Sequence, residues 1–258
     1  MTHCFTCFSI LEYLQANTTQ AFIFTDKEQD AEMVFVAFRG TEVLSLQDWA
    51  TDFDFSYYRI PGLGRVHMGF FEALGFGTRK DINTLQQAKT NIIELADGTR
   101  SDDLPTSGLP NDDQKVFAYD AISTKVTELL ALHPRAKLYV TGHSLGGALA
   151  SLFTAFRMFK NNGTDERLGG VFTFGQPRVG DTAFANYMET ALSQRANQAQ
   201  MRKYFRVVFR TDVVARLPRD DVIFQFKHVT PCHFYKSTNI SEGKGVKFKL
   251  SLLIILRT

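Results

Sequence analysis

The stretch Gly142-His143-Ser144-Leu145-Gly146 constrains this chain more than any other, because of what lies on either side of it. Residues 137–141 (KLYVT) are short, apolar and rich in β-formers. Residues 145–160 (LGGALASLFTAFRMFK) carry small and apolar residues at helical spacing. A strand that must turn into a helix around a serine flanked by glycines has one geometry open to it. The turn is so tight that Ser144 takes a strained backbone conformation, and a Cβ at position 142 or 146 would run into neighbouring backbone. The serine hydroxyl is then presented above the sheet, facing a helix N-terminus with its free N–H groups and partial positive charge. That environment suits a reaction in which negative charge builds up on a carbonyl oxygen.

The rest of the chain supplies the layers such a turn requires. Residues 21–24 and 33–38 read as two strands joined by a charged turn, a hairpin. Residues 170–174, 204–209 and 222–226 read as further strands, with helices over 115–132 and 181–197 between them. Alternation of this kind predicts an α/β fold with a mostly parallel central sheet and helices on both faces. Residues 1–20 read as a short helix, 59–69 as loop, and 70–96 as a helix broken near Gly75 and Gly77. Residues 97–114 form a polar surface excursion, and 245–258 alternate before becoming wholly apolar. No repeat or linker divides the chain, so residues 1–258 are read as one domain.

A net charge of +2 with no basic run argues against a nucleic-acid partner. Phe is the outlier, with 24 copies against one Trp. A Phe-rich core explains most of them, and an acyl-chain groove or a lipid-touching face would use others. Three cysteines make no disulfide framework. Cys4 and Cys7 lie beside His3, but no second ligand pair follows at zinc spacing, so neither a metal nor a cofactor is expected. The N-terminus lacks the basic residues of a secretory signal, and no apolar run approaches a membrane span, so the expected location is intracellular.

A serine nucleophile needs a base to take its proton and a carboxylate to orient that base. In the α/β-hydrolase order the acid and then the histidine follow the serine. Asp212 directly follows the strand over 204–209 and is the candidate acid. Asp181 opens a helix, where an N-cap role accounts for it, and Asp220 and Asp221 sit in a charged turn. Upstream, Phe38-Arg39-Gly40-Thr41 ends a strand, and the N–H groups of Thr41 and Leu145 could form a two-donor oxyanion hole. Asp52 is placed to hold the Thr41 side chain, although a plain strand exit capped by Thr41 would look the same.

These pieces resemble the class 3 (fungal-type) lipases, and the plant oil-body branch in particular. The matching motifs are FRGTE (38–42), Asp48-Trp49 with Asp52, VHMGF (66–70), TGHSLGG (141–147), FGQPRVGD (174–181) and RTDVVARLP (210–218). Several independent motifs in the right order make the likeness specific from residue 20 to about 237. The resemblance implies an α/β-hydrolase fold and hydrolysis of acylglycerol esters at a lipid-droplet or membrane surface. It places the nucleophile on Ser144, the acid on Asp212, the oxyanion hole on Thr41 and Leu145, and a lid over 44–55. A phospholipase A1 or galactolipid hydrolase would use the same residues. A lipid-binding pseudoenzyme would keep the groove without the chemistry.

The third triad member is the open question. His67 precedes the Gly-Phe turn and reads as structural, His133 ends a helix, and His143 lies inside the elbow, directed away from the nucleophile's side. His228 and His233 follow Asp212 in the right order and are the candidate bases. The resemblance instead implies a catalytic histidine tens of residues further on, on a C-terminal part that these residues do not supply. Three readings stay open: a chain short of the family's C-terminal part, a pseudoenzyme, or recruitment of His228 or His233. If the histidine is absent, the 258 residues alone are expected to be nearly inactive.

Overall fold

The computed structural model describes residues 21–40, 56–76, 118–161, 165–193, 203–210, 212–218 and 225–235, together with the backbone of 7–10. Seven strands form the main sheet: β1 (Cys7–Ile10), β2 (Ala21–Thr25), β3 (Met33–Phe38), β6 (Lys137–His143), β7 (Leu168–Phe174), β9 (Tyr204–Phe209) and β11 (Cys232–Tyr235), side by side in that order. β1 and β3 run antiparallel to β2, while β3, β6, β7, β9 and β11 are parallel to one another. A smaller antiparallel sheet holds β10 (Phe226–Lys227), β8 (Gly180–Asp181), β5 (Gly64–His67) and β4 (Tyr57–Ile60). The helices are α1 (Met68–Ala73), α2 (Ala118–Leu132), α3 (Leu145–Lys160) and α4 (Thr182–Ser193), with a 3₁₀ turn at Val214–Arg216.

Alternation along the strands sorts the two sheet faces. Ile23, Val34, Val36, Phe38, Leu138, Val140 and Val171 are fully buried in the cluster that also holds the apolar sides of α2 and α3. α3 is buried at every position from 146 to 158, so it is a core helix with apolar residues all round, not a surface helix with one apolar stripe. Phe38, Tyr119, Phe153 and Phe156 meet ring to ring between α2, α3 and the sheet. Burying each such ring stabilises the fold by roughly 1.5–3 kcal/mol. Arg157, in the last turn of α3, is kept in this interior by a 2.6 Å hydrogen bond to Asp165 and one to Ser123.

On the opposite face an aromatic row crosses the sheet strand by strand. Phe24 stacks on Phe35 at 4.9 Å, Phe35 on Tyr139 at 5.4 Å, and Phe172 on Phe205 at 4.9 Å. His233 closes the row against Phe205 at 5.8 Å. Among the described residues, many of the Phe side chains therefore lie in the helical core or in this row.

Most sequence-predicted elements are present, and two differ. The expected N-terminal helix is instead, over Cys7–Ile10, a strand that pairs with β2 and extends the sheet. Its apolar residues pair with β2 over four registered positions, and that ladder overrides the helical spacing. The expected loop over 59–69 holds the β4–β5 hairpin, with Pro61, Gly62 and Leu63 as its turn. The helix predicted over 70–96 and broken near Gly75 starts at Met68 as α1 and breaks there, with Leu74 as its C-cap and Gly75 at φ 86°, and residues 77–96 lie outside the described residues. Of the strand expected at 222–226, residues 222–224 lie outside the described residues, and Phe226–Lys227 forms a strand. The lid segment 44–55, the excursion 97–114 and the tail 245–258 lie outside the described residues. Among the described residues, no helix is long and apolar enough to cross a membrane.

Candidate active site

The elbow has the geometry its sequence requires. β6 ends at His143, α3 begins at Leu145, and Ser144 between them has φ 54° and ψ −123°. For a residue with a Cβ this conformation costs on the order of 1–3 kcal/mol, so the surrounding packing must hold it. A Cβ at Gly142 would strike the carbonyl of Gly146, and one at Gly146 would strike the carbonyl of Phe38. Both obstacles are backbone, which no side-chain adjustment relieves. Below the turn, Gln176 packs against Gly147 and accepts a 2.7 Å hydrogen bond from the buried Tyr204 hydroxyl. These two polar residues support the elbow from the β7 and β9 side. Only their place beneath the turn in three dimensions reveals the role.

Ser144 is 2% exposed, and its Oγ is buried with no hydrogen-bond partner among the described residues. Its own N–H is anchored to the Phe174 carbonyl at 2.9 Å, and its carbonyl accepts from Gly147 and Ala148. Leu145 opens α3, so its N–H is one of the four at a helix start that have no acceptor within the helix. The exit of β3 lies against the same turn: a Cβ at Gly40 would stand 3.6 Å from the Ser144 Cβ. Thr41, the next residue, and Asp52 lie outside the described residues.

Asp212 follows β9 in a tight turn in which its N–H bonds to the Phe209 carbonyl at 3.2 Å. Its Oδ1 accepts from the Val214 N–H at 3.0 Å and, at 3.5 Å, from that of Ala215, capping the 3₁₀ turn. Its Oδ2 is directed back towards the end of β7, 2.6 Å from where a Cβ on Gly175 would stand. Nucleophile and acid candidates thus flank one short segment: Phe174 bonds to Ser144, and Gly175 adjoins Asp212.

Neither candidate base is hydrogen-bonded to Ser144 Oγ. His228 is tied to the turn after Asp212, its Nε2 donating to the Ala215 carbonyl at 2.7 Å. His233 sits within β11, level with Val207, Phe174 and His143 across the sheet. Three strand spacings put it roughly 14 Å sideways from β6. Of the other histidines, His67 caps α1 through an Nδ1 that accepts from the Gly69 N–H at 3.1 Å. Burial pushes its pKa down to about 3, so the ring stays neutral, as a structural histidine should. His133 Nδ1 accepts from the Ala31 N–H. Through that bond His133 works as an acceptor joining the end of α2 to the β2–β3 turn. His143 is exposed, with Nε2 3.4 Å from the Gly175 Cβ position.

Asp181 also proves structural. Its Oδ1 accepts from the Phe184 N–H and the Arg65 N–H, and its Oδ2 pairs with Arg65 Nε at 2.9 Å. Among the described residues, no cluster of His, Cys, Asp and Glu has the makings of a metal site.

Comparison with known proteins follows the same outline. Residues 35–222 match the family model described as lipase (class 3). The chain is 42% identical over 228 residues to a triacylglycerol lipase OBL1 of Arabidopsis thaliana, covering 88% of this chain and 42% of that protein. It is 40% identical to the protein of the same name from Ricinus communis, covering 88% and 43%. The chain therefore spans less than half the length of these plant relatives. Among solved structures, Rhizomucor miehei triacylglyceride lipase superposes with a TM-score of 0.58 at 24% identity, covering 88% of this chain and 66% of that one. A Penicillium cyclopium structure, the MDLA N225Q mutant, gives 0.59 at 22% identity, covering 91% and 64%. At these identities the structural likeness establishes the α/β-hydrolase fold alone.

Proposed function

Because the chain belongs to the class 3 lipase family, we propose that the protein hydrolyses acylglycerol carboxyl esters, with Ser144 as nucleophile and Asp212 as the acid that orients the base. As Ser144 Oγ adds to the carbonyl carbon of the bound ester and gives its proton to the base, the C=O π pair moves onto the carbonyl oxygen, which takes up negative charge. The N–H groups of Leu145 and Thr41 stabilise that charge, and Asp52 supports Thr41. The base has three candidate sources: His228, His233, or a histidine carried further along a longer protein. The Ser144 backbone carries the reading. A strained serine between two glycines that tolerate no side chain, at the start of a buried helix, has no structural purpose that another residue would not serve better.

Phe209, Val213, Phe234 and Tyr235 are exposed around the turn that holds Asp212. An apolar rim there supports action at a lipid–water surface, a droplet or membrane inside the cell, instead of on dissolved ester. The names of the plant relatives favour triacylglycerol as substrate.

A fluorophosphonate probe tests the chemistry, since it reacts covalently with an activated serine. Labelling confined to Ser144 and lost in Ser144→Ala supports the proposal, whereas labelling that survives the substitution refutes it. A second reading, lipid binding without turnover, is favoured by the lack of any described imidazole bonded to Ser144 Oγ. Retained fatty-acid binding with no labelling would select it.

A further inference from the structure

We propose that Arg178 is a positioning residue for Asp212: its guanidinium and its backbone N–H hold the turn that carries the acid at a fixed place relative to Ser144. The inference deepens the hydrolase reading, and rests on it for the role given to Asp212.

The turn after Asp212 is too short to hold itself. It is a 3₁₀ turn of three residues, Val214–Arg216, with exposed Val213 before it and Ala215 as its buried residue. Hydrogen bonds in this tighter helix have poorer geometry, and the carbonyls at its end have no partner within it. Here four consecutive carbonyls are met from outside. Ala215 accepts from His228 Nε2 at 2.7 Å, and Leu217 accepts from the Arg178 N–H at 2.6 Å. Arg216 and Pro218 both accept from Arg178 Nη1, the second at 2.6 Å. Three of the four therefore depend on one residue, two of them on a charged donor, whose bonds are stronger than those between neutral groups. At its other end the turn is joined to the acid itself, through the amides of Val214 and Ala215 on Oδ1. A shift of the turn carries the carboxylate with it.

Arg178 is placed to set where that turn lies. It belongs to the short stretch running from the end of β7 to β8, and the start of that stretch supports the elbow. The Phe174 carbonyl accepts from the Ser144 N–H at 2.9 Å, and Gln176 packs against Gly147. Pro177 follows with its restricted φ, and beyond Arg178 the Val179 carbonyl accepts from the His67 N–H at 2.9 Å. Residues 174–178 thus touch the nucleophile's turn at one end and the acid's turn at the other. This stiff link fixes the separation between Ser144 and Asp212, and Arg178 is its attachment to the acid.

Amide hydrogen exchange reports the clamp without any chemistry. In Arg178→Met, which keeps the stem and removes the charged donor, the Val214 and Leu217 amides are expected to exchange about tenfold faster, with the Ser144 amide unchanged. Unchanged exchange at Val214 overturns the clamp. The positioning role is read from fluorophosphonate labelling of Ser144 with imidazole added, so that a base is supplied in every variant. Arg178→Met is expected to label about tenfold more slowly than the parent, and Arg178→Lys, which restores a charged donor, within about threefold. Added to Asp212→Asn, Arg178→Met should slow labelling no further, because the carboxylate it positions is already gone. Equal slowing with and without that carboxylate overturns the positioning role, as does an Arg178→Met chain that labels like the parent. Arg178→Gln takes the place of Arg178→Met if the latter fails to fold. A parent that never labels removes the hydrolase reading, and hydrogen exchange then decides the clamp on its own.

Discussion

The two halves of the candidate site are built in opposite ways. The Ser144 half is interior: β6 is buried at Leu138 and from Val140 to Gly142, α3 is buried from Gly146 to Met158, and the turn between them is bounded by backbone on both sides. The Asp212 half is a rim, with exposed Phe209, Val213, Phe234 and Tyr235 around a carboxylate held by backbone amides. Where packing determines position, substitution should cost stability. Where hydrogen bonds in a surface turn determine it, substitution should cost chemistry and leave the fold almost untouched.

The largest effect is expected from the interior. Asp165→Ala leaves the Arg157 charge of α3 in the interior with the Ser123 hydroxyl in place of a counter-charge, and should lower unfolding free energy by about 3–5 kcal/mol in urea melts. Gly146→Ala follows, because its methyl group meets the Phe38 carbonyl. A loss of about 3 kcal/mol is expected, and a midpoint like that of the parent would mean the elbow is not confined as described.

The next test crosses from one half to the other. If no base reaches Ser144, added imidazole should speed fluorophosphonate labelling about tenfold or more. Asp212→Asn should remove most of that gain while shifting unfolding free energy by less than about 1 kcal/mol. A chain that labels quickly without imidazole, and gains nothing from it, already contains its base.

His67 gives the interior a pH dependence. Its folded pKa lies near 3, below the value of about 6.5 for an exposed imidazole, so the unfolded chain binds the proton more readily. The contribution is complete above pH 6.5 and is lost as pH falls through the window towards 3, at up to about 1.4 kcal/mol per pH unit. Urea midpoints for the parent and for His67→Asn, which keeps a capping acceptor, should diverge across that window. Smallest of all, Val213→Ser on the rim should change stability by less than about 0.5 kcal/mol. A larger loss would show that the rim is packed.

What could be read in advance follows the same division. The β6–α3 elbow, the β2–β3 hairpin and the helical role of Asp181 were legible because each depends on residues close together in the chain. The β1 strand and the β4–β5 hairpin were not. Both are short pieces settled by strand pairing, β1 with β2 and β4 with β5, which β8 joins at Val66. Helical spacing over 1–20 and a Pro-Gly cluster over 59–69 were honest local signals, overridden by pairing partners that local pattern does not reveal.

The amino-acid order alone determined that Ser144 occupies a strand-to-helix turn, because two glycines and the periodicity around them leave the backbone no alternative. Only the tertiary structure decided what surrounds that serine. It tied His228 to the Ala215 carbonyl, placed His233 at the far end of an aromatic row, and brought His143 and Asp212 to the same glycine. Backbone strain is local and can be read from neighbouring residues. The meeting of side chains from three strand ends depends on sheet order and register, which are settled by long-range pairing and burial.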